Sequence, residues 1–199
     1  MKKIVFLVMA SMLLFVTLNA QNEVTNTTKL FSKGDKVLNL GFGIGSTLYS
    51  GSSYTTKVPP ISASLEIGVV DNLFEVEGLN LGLGGYLGFF RSQYKYSYYA
   101  DGIEYGWNYT NLIFGGRGVL HYEFTDKLDT YTGLMLGANI VTTSSFGDYE
   151  DTYGSSASGS GLAYSYFIGV RYYFAESFGV TGELGYGISY LNLGICLKF

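Results

Sequence analysis

From residue 37 to the C-terminus, apolar residues alternate with small or polar ones at a period of two. That is the period of a β-strand, whose successive side chains point to opposite faces. Leu38, Leu40, Phe42 and Ile44 stand against Asn39, Gly41, Gly43 and Gly45. The same alternation returns over residues 61–69, 79–89, 112–124, 134–140, 164–174, 180–186 and 191–199. Each run alone is a weak signal, but together they predict eight strands. An even number of strands lets a sheet close on itself with no unpaired edge.

The two faces differ in a telling way. One is apolar throughout. The other is mostly glycine, serine and asparagine with isolated charges. A soluble barrel turns its apolar face inward and a charged face outward. Here the polar face has too little charge and too many small residues to meet solvent, and it suits a narrow lumen. The apolar face must then meet lipid. The expected fold is all-β: an eight-stranded antiparallel up-and-down transmembrane β-barrel over residues 36–199.

Composition agrees. Charged residues make up 14% of the 199-residue chain, against about 25% in soluble domains. Glycine contributes 28 residues, tyrosine 19 and phenylalanine 14. No stretch of the body is apolar for long enough to form a spanning helix. The N-terminus adds a compartment. Lys2 and Lys3 precede an apolar run that ends at Leu18-Asn19-Ala20, the pattern of a secretory signal peptide over residues 1–20. Residues 21–35 are polar and aperiodic and read as a flexible lead-in. Cys196 is the only cysteine, so there is no internal disulfide and no lipid-anchoring thiol after the cut. Losing the two lysines leaves ten basic against sixteen acidic residues, which argues against a nucleic-acid partner. No metal, phosphate-loop or nucleophile motif occurs. Gly41-Phe42-Gly43-Ile44-Gly45 reads as strand glycines rather than a dinucleotide loop, and no cofactor is expected.

Several segments carry a family resemblance. They are Phe31-Ser32-Lys33-Gly34-Asp35-Lys36 leading into a glycine-alternating strand, Gly169-Val170-Arg171-Tyr172-Tyr173-Phe174, Glu183-Leu184-Gly185-Tyr186-Gly187, and the terminal Gly194-Ile195-Cys196-Leu197-Lys198-Phe199. Residues 36–199 resemble the small outer-membrane β-barrel family, the OmpA- and OmpX-like eight-stranded, porin-like barrels. The resemblance implies a place in the outer membrane of a Gram-negative bacterium. It also implies that Phe199, Leu197 and Ile195 form the signal read by the outer-membrane assembly machinery. Fold does not imply one activity, because such barrels serve as structural proteins, adhesins, minor channels and lipid enzymes.

Loop lengths suggest an orientation. The joins near Asp71-Asn72, from Thr125 to Asp129 and from Ala175 to Ser177 are short. Those from Tyr49 to Pro59, Ser92 to Tyr109 and Thr143 to Ser160 are long, and Gly187 to Ser189 is a tight turn. Outer-membrane barrels keep short turns in the periplasm and longer loops outside, which puts both chain ends in the periplasm. Tyr122, Phe124, Tyr172, Phe174, Phe178 and Phe199 fit the lower aromatic girdle.

Parity places Glu66, Arg117, Glu123, Arg171, Glu183 and Lys198 inside as a lumen charge network. Charges in a narrow interior must be paired, and Arg171 and Glu183, on neighbouring strands, are expected to pair. His121 is the only histidine. It lies inward beside Glu123 at the end opposite the outer leaflet, so it reads as a satisfied lumen residue rather than a catalytic base. Tyr94, Tyr96, Tyr98, Tyr99, Tyr105 and Trp107 form a tyrosine-rich loop suited to an extracellular protein or glycan. Arg91 and Lys95 continue the outward parity of Leu87 and Phe89, at the height where outer-membrane lipopolysaccharide carries its phosphates. The expected role is structural or adhesin-like surface interaction by a non-enzyme with a largely plugged lumen. The alternatives are a minor pore or transporter for small solutes and a lipid A-modifying enzyme.

Overall fold

The computed structural model describes residues 30–49, 51–97, 104–147 and 159–199. Strands β1 (Lys36–Ser46), β2 (Tyr54–Val70), β3 (Leu79–Ser97), β4 (Glu104–Thr125), β5 (Leu128–Phe146), β6 (Gly161–Ala175), β7 (Phe178–Tyr186) and β8 (Ser189–Lys198) follow one another. Each pairs antiparallel with its chain neighbours, and β1 pairs with β8, so the sheet closes in the order β1 to β8. The seam runs from Ser46 against Ser189 to Val37 against Lys198. Two further bonds finish it: Lys36 N–H donates to the Phe199 carbonyl at 3.1 Å, and Phe199 N–H donates to the Lys36 carbonyl at 2.9 Å.

The alternation read from the sequence is the inside–outside alternation of this barrel. Leu87, Leu134, Leu162 and Leu184 are exposed on the outer face, with Leu162 reaching 73%. Asn39, Glu66, Asn111, Arg117, His121 and Arg171 are buried on the inner face. An outer surface of leucine, isoleucine, valine and aromatic rings around a polar interior is the arrangement of a membrane-spanning barrel. At the end where Lys36 meets Phe199, Tyr122 and Phe124 lie 4.9 Å apart between ring centroids, and Phe174 and Phe178 5.2 Å.

Inward glycines make room for the rings beside them. A Cβ on Gly133 would fall 2.6 Å from the Phe167 ring, and one on Gly169 would strike the Tyr131 ring. At Gly187, in the tight turn between β7 and β8, φ is +114°, which an L side chain rarely adopts.

Several boundaries differ from the sequence reading. Strand β2 already begins at Tyr54 and β5 runs on to Phe146, inside the joins expected from Tyr49 to Pro59 and from Thr143 to Ser160. The β2–β3 connection is not a tight turn at Asp71-Asn72. It runs over residues 71–78 and includes a short 3-10 turn, Leu73–Glu75, with positive φ at Asn72, Phe74 and Glu75. The Asn72 side chain holds it by accepting from Gly78 N–H at 3.1 Å. The β4–β5 turn is only Asp126 and Lys127, so Asp129 belongs to β5 and faces inward, fully buried. The residues from Ser92 to Tyr109 are mostly paired strand, with Ser97 opposite Glu104. Lastly, residues 30–35 of the expected lead-in pack into the barrel end, with Phe31 fully buried. Residues 1–29, which include the expected signal peptide, lie outside the described residues.

The wall is uneven. β2 to β5 are 17, 19, 22 and 19 residues long, while β1, β6, β7 and β8 have 11, 15, 9 and 10. The tall side stands above the other at the end away from the termini. Its β2 margin carries register shifts around Pro59 and Pro60. Proline has no N–H to give a ladder, and bulges absorb the mismatch.

Because Phe199 closes the seam at its last step and is 68% exposed on the outer face, deleting it should sharply lower the amount of folded barrel in membranes. Heat-modifiable migration on gels checks this; a normal fraction of folded protein would refute it.

Candidate functional site

β4 samples the lumen from the termini upward: His121, Val119, Arg117, Ile113 and Asn111 all point inward and all are buried. Each marks a layer of the filling.

The first charged layer is a closed ring. Arg171 Nη2 donates to Glu66 Oε2 at 2.6 Å, and Nη1 donates to Asp129 Oδ2 at 3.1 Å. His121 Nδ1 meets Asp129 Oδ1 at 2.9 Å, and its Nε2 meets Glu66 Oε1. Each acid thus meets both bases, and both ring nitrogens of His121 face carboxylates. Arg171 Nε donates to Asn39 Oδ1 at 3.2 Å, and its guanidinium lies 4.5 Å from the Tyr131 ring centroid. Burial of such charges is tolerated only with full pairing and hydrogen bonding.

A second pair lies above it. Arg117 Nη2 donates to Glu183 Oε1 at 2.6 Å, and Arg117 Nη1 donates to Ser64 Oγ at 3.3 Å. Tyr131 donates to the same Glu183 oxygen at 3.0 Å and shares a 2.7 Å hydrogen bond with Thr181. The Arg117 guanidinium sits 3.9 Å from the Phe167 ring centroid. Apolar layers separate and cap these charges: Val119, Tyr131 and Phe167 below, and Phe90, Ile113, Met135, Ala163 and Ile188 above. A cavity of about 20 Å³ remains between Tyr86, Arg117, Glu183 and Asn192, room for about one water.

The lumen residues read from sequence do not form one network. Arg171 and Glu183 belong to different layers, so the expected pair between them is replaced by Arg171 with Glu66 and Asp129, and Arg117 with Glu183. Glu123 joins neither; its Oε1 accepts from Phe31 N–H at 2.7 Å. Lys198 pairs with Asp35 at 2.8 Å. His121, expected beside Glu123, instead bridges Glu66 and Asp129. Both its nitrogens are engaged by carboxylates, so it holds no nucleophile. Sequence reasoning missed Asp129, Asp35 and Phe31. Asp129 was legible, because it shares the parity of Tyr131, Gly133 and Met135 on β5.

At the opposite mouth, Tyr49 of the β1–β2 connection and the inward tyrosines of the tall wall pack on one another. Tyr49 stacks on Tyr109 at 5.3 Å, Tyr54 meets Tyr94 edge-on at 4.8 Å, and Tyr49 leans on Phe90 at 5.8 Å. Tyr49 also donates to Asn111 Oδ1 at 3.2 Å. Trp107 and Tyr105 lie opposite Tyr94 and Tyr96 on the β3–β4 ladder. Tyr98 and Tyr99 fall outside the described residues. Arg91 is half-buried at the top of β3 between Val58 and Thr110, and its Nε has no hydrogen-bond partner among the described residues. Lys95 follows on the same face, opposite Gly106.

The chain is similar in structure to small outer-membrane β-barrels. The Yersinia pestis attachment invasion locus protein Ail, solved with the heparin analogue sucrose octasulfate, aligns over 84% of this chain and 99% of its own at 13% identity and a TM-score of 0.47. The N-terminal barrel domain of Pseudomonas aeruginosa OprF aligns over 84% and 98% at 15% identity and a TM-score of 0.41. Neisserial surface protein A aligns over 83% and 95% at 11% identity and a TM-score of 0.40. No protein-family model matches the chain, and no curated protein sequence matches it.

Removing one partner of a buried ion pair costs about 3–5 kcal/mol, much of it from the charge left behind. Arg171→Ala should therefore be strongly destabilising, and adding Glu66→Gln should return part of the loss. Double-mutant cycles by urea unfolding should give larger coupling for Arg171 with Glu66 and Arg117 with Glu183 than for Arg171 with Glu183. The reverse ranking would show that the ring and the upper pair are wrongly drawn.

Proposed function

We propose that the chain is an integral outer-membrane barrel with a closed lumen and a structural or surface-interaction role, its termini in the periplasm. The observation that carries this is the filling of the interior. Charged and apolar layers alternate from Phe31 to Tyr49, and the cavity left among Tyr86, Arg117 and Glu183 holds about 20 Å³. Eight strands enclose a space that side chains alone can fill. The periplasmic placing of the termini is supported by the two-residue turns at Asp126-Lys127 and Glu176-Ser177 on their side, and by the tall hairpins on the other.

The same filling argues against the reading as a pore or transporter. Reconstituted protein should give no stable conductance steps of general-porin size in planar bilayers. Large, reproducible steps from pure protein would overturn the closed-lumen reading.

The tall wall of β2 to β5 is then the part offered to the outside, and its rim supports contact with lipopolysaccharide, an extracellular protein or a glycan. Arg91 sits just above the apolar band, beyond the outward Phe89 and opposite Thr110 on β4. Arginine binds phosphate bidentately, and lysine adds a point charge. Replacing Arg91 and Lys95 by glutamine should lower thermal stability only when lipopolysaccharide is present. Equal melting of variant and parent in both conditions would leave them as ordinary surface charges.

A further inference from the structure

Residues 30–35 pack into the end of the barrel without being part of its wall, with Phe31 fully buried and Lys33 and Gly34 exposed. The ladders close without them: β1 begins at Lys36, pairing with β2 from Lys36 opposite Ile67 and with β8 from Val37 opposite Lys198. The segment is fastened mainly by side chains that reach its backbone. Phe31 N–H donates to Glu123 Oε1 at 2.7 Å, and the Phe31 carbonyl accepts from Asn80 Nδ2 at 2.6 Å. The Leu30 carbonyl accepts from Lys198 Nζ at 3.0 Å, and that ammonium also pairs with Asp35. Lys33 N–H donates to Asp71 Oδ1 at 2.7 Å. Two backbone bonds at Gly68, from Gly34 and to Asp35, each 2.9 Å, add to these.

The wall is shaped to receive it. A Cβ on Gly68 would fall on the Ser32 carbonyl, and a Cβ on Gly82 would meet the Phe31 ring at 3.0 Å. The Phe31 ring itself stacks on His121 with centroids 4.0 Å apart, so it lies directly against the charged ring. Phe31 also packs with Val37, Tyr173 and Cys196, all buried, with Leu30 beside them.

We propose that residues 30–35 are a detachable latch that closes a vestibule at this end of the barrel, with the Arg171–Glu66–His121–Asp129 ring as its floor. Calling that vestibule periplasmic rests on the orientation proposed above; the latch itself does not. Local elements held by few ladder bonds open at lower free energy than the sheet around them. An opened latch would leave the eight strands paired, admit water to the charged ring and uncover Cys196.

Cys196 is the only thiol in the chain, so its reactivity reports the latch without an engineered probe. The mature chain is refolded in detergent micelles and treated with a bulky anionic maleimide, and the labelling rate is followed by mass. Folding is checked in parallel by heat-modifiable migration. The parent should react slowly, and Phe31→Ala should react about tenfold faster or more, as expected when opening rather than global unfolding exposes a site. Gly68→Ala, which leaves every latch residue in place but crowds Ser32, should give the same rise. Phe31→Leu, which refills the pocket, should fall back toward the parent rate. Asp71→Asn, near the surface, loosens one fastening and should give a smaller rise with the barrel intact. Parental rates in folded Phe31→Ala and Gly68→Ala would overturn the latch, as would a parent that reacts as fast as unfolded chain. Orientation is read separately, by adding the reagent to intact cells and to broken membranes. Labelling of folded Gly68→Ala from the cell exterior would move the vestibule to the other side of the membrane while leaving the latch standing.

Discussion

The ring of Arg171, Glu66, His121 and Asp129 is the constraint around which the barrel is organised. Charges in an interior walled off by lipid have no water to fall back on. Each must find its partners within the cross-section of the barrel, and here the partners come from β2, β4, β5 and β6. Four strands are therefore tied across the lumen at one height. A slip of one residue in any of them would turn its charged member toward the lipid. The ring thus specifies register as well as filling space.

The molecule lives between two media that make opposite demands. The outer face asks only for apolar surface, and leucine, isoleucine, valine and aromatic rings share it freely. The inner face demands complementarity: Gly133 is empty because Phe167 is not, and Gly169 yields to Tyr131. The apolar layers keep the ring and the Arg117–Glu183 pair apart, so each charge group balances locally rather than across the whole lumen.

Much of this was legible in the sequence because period two carries face as well as element. The strand count, the closed order, and the inward placing of Glu66, Arg117, Arg171 and Glu183 follow from parity alone. Parity does not say at what height a residue sits relative to a strand two or three neighbours away. That height depends on stagger around the barrel, which is why parity alone points Arg171 to Glu183 on the next strand while its partner is Glu66 across the lumen. Asp129 is hidden by its place next to the turn, since a polar residue beside Asp126-Lys127 looks like loop until its phase with Tyr131 is counted. Phe31 was hidden for another reason. A single aromatic residue in a polar, aperiodic stretch has no pattern around it, and only the cavity that receives it reveals its place.

The origin of the latch contacts fixes an order of events. Its fastenings come from Gly68 on β2, Asp71 just after it, Asn80 on β3, Glu123 on β4 and Lys198 on β8. Those groups stand at one rim only once the first strand and the last have met. The segment that leaves the ribosome ahead of every strand is therefore the last to find its seat. Its docking is a closing step that adds only the two backbone bonds at Gly68 to the sheet, nearly silent to probes of β-structure and best seen by those that sense the Phe31 ring or the water it displaces.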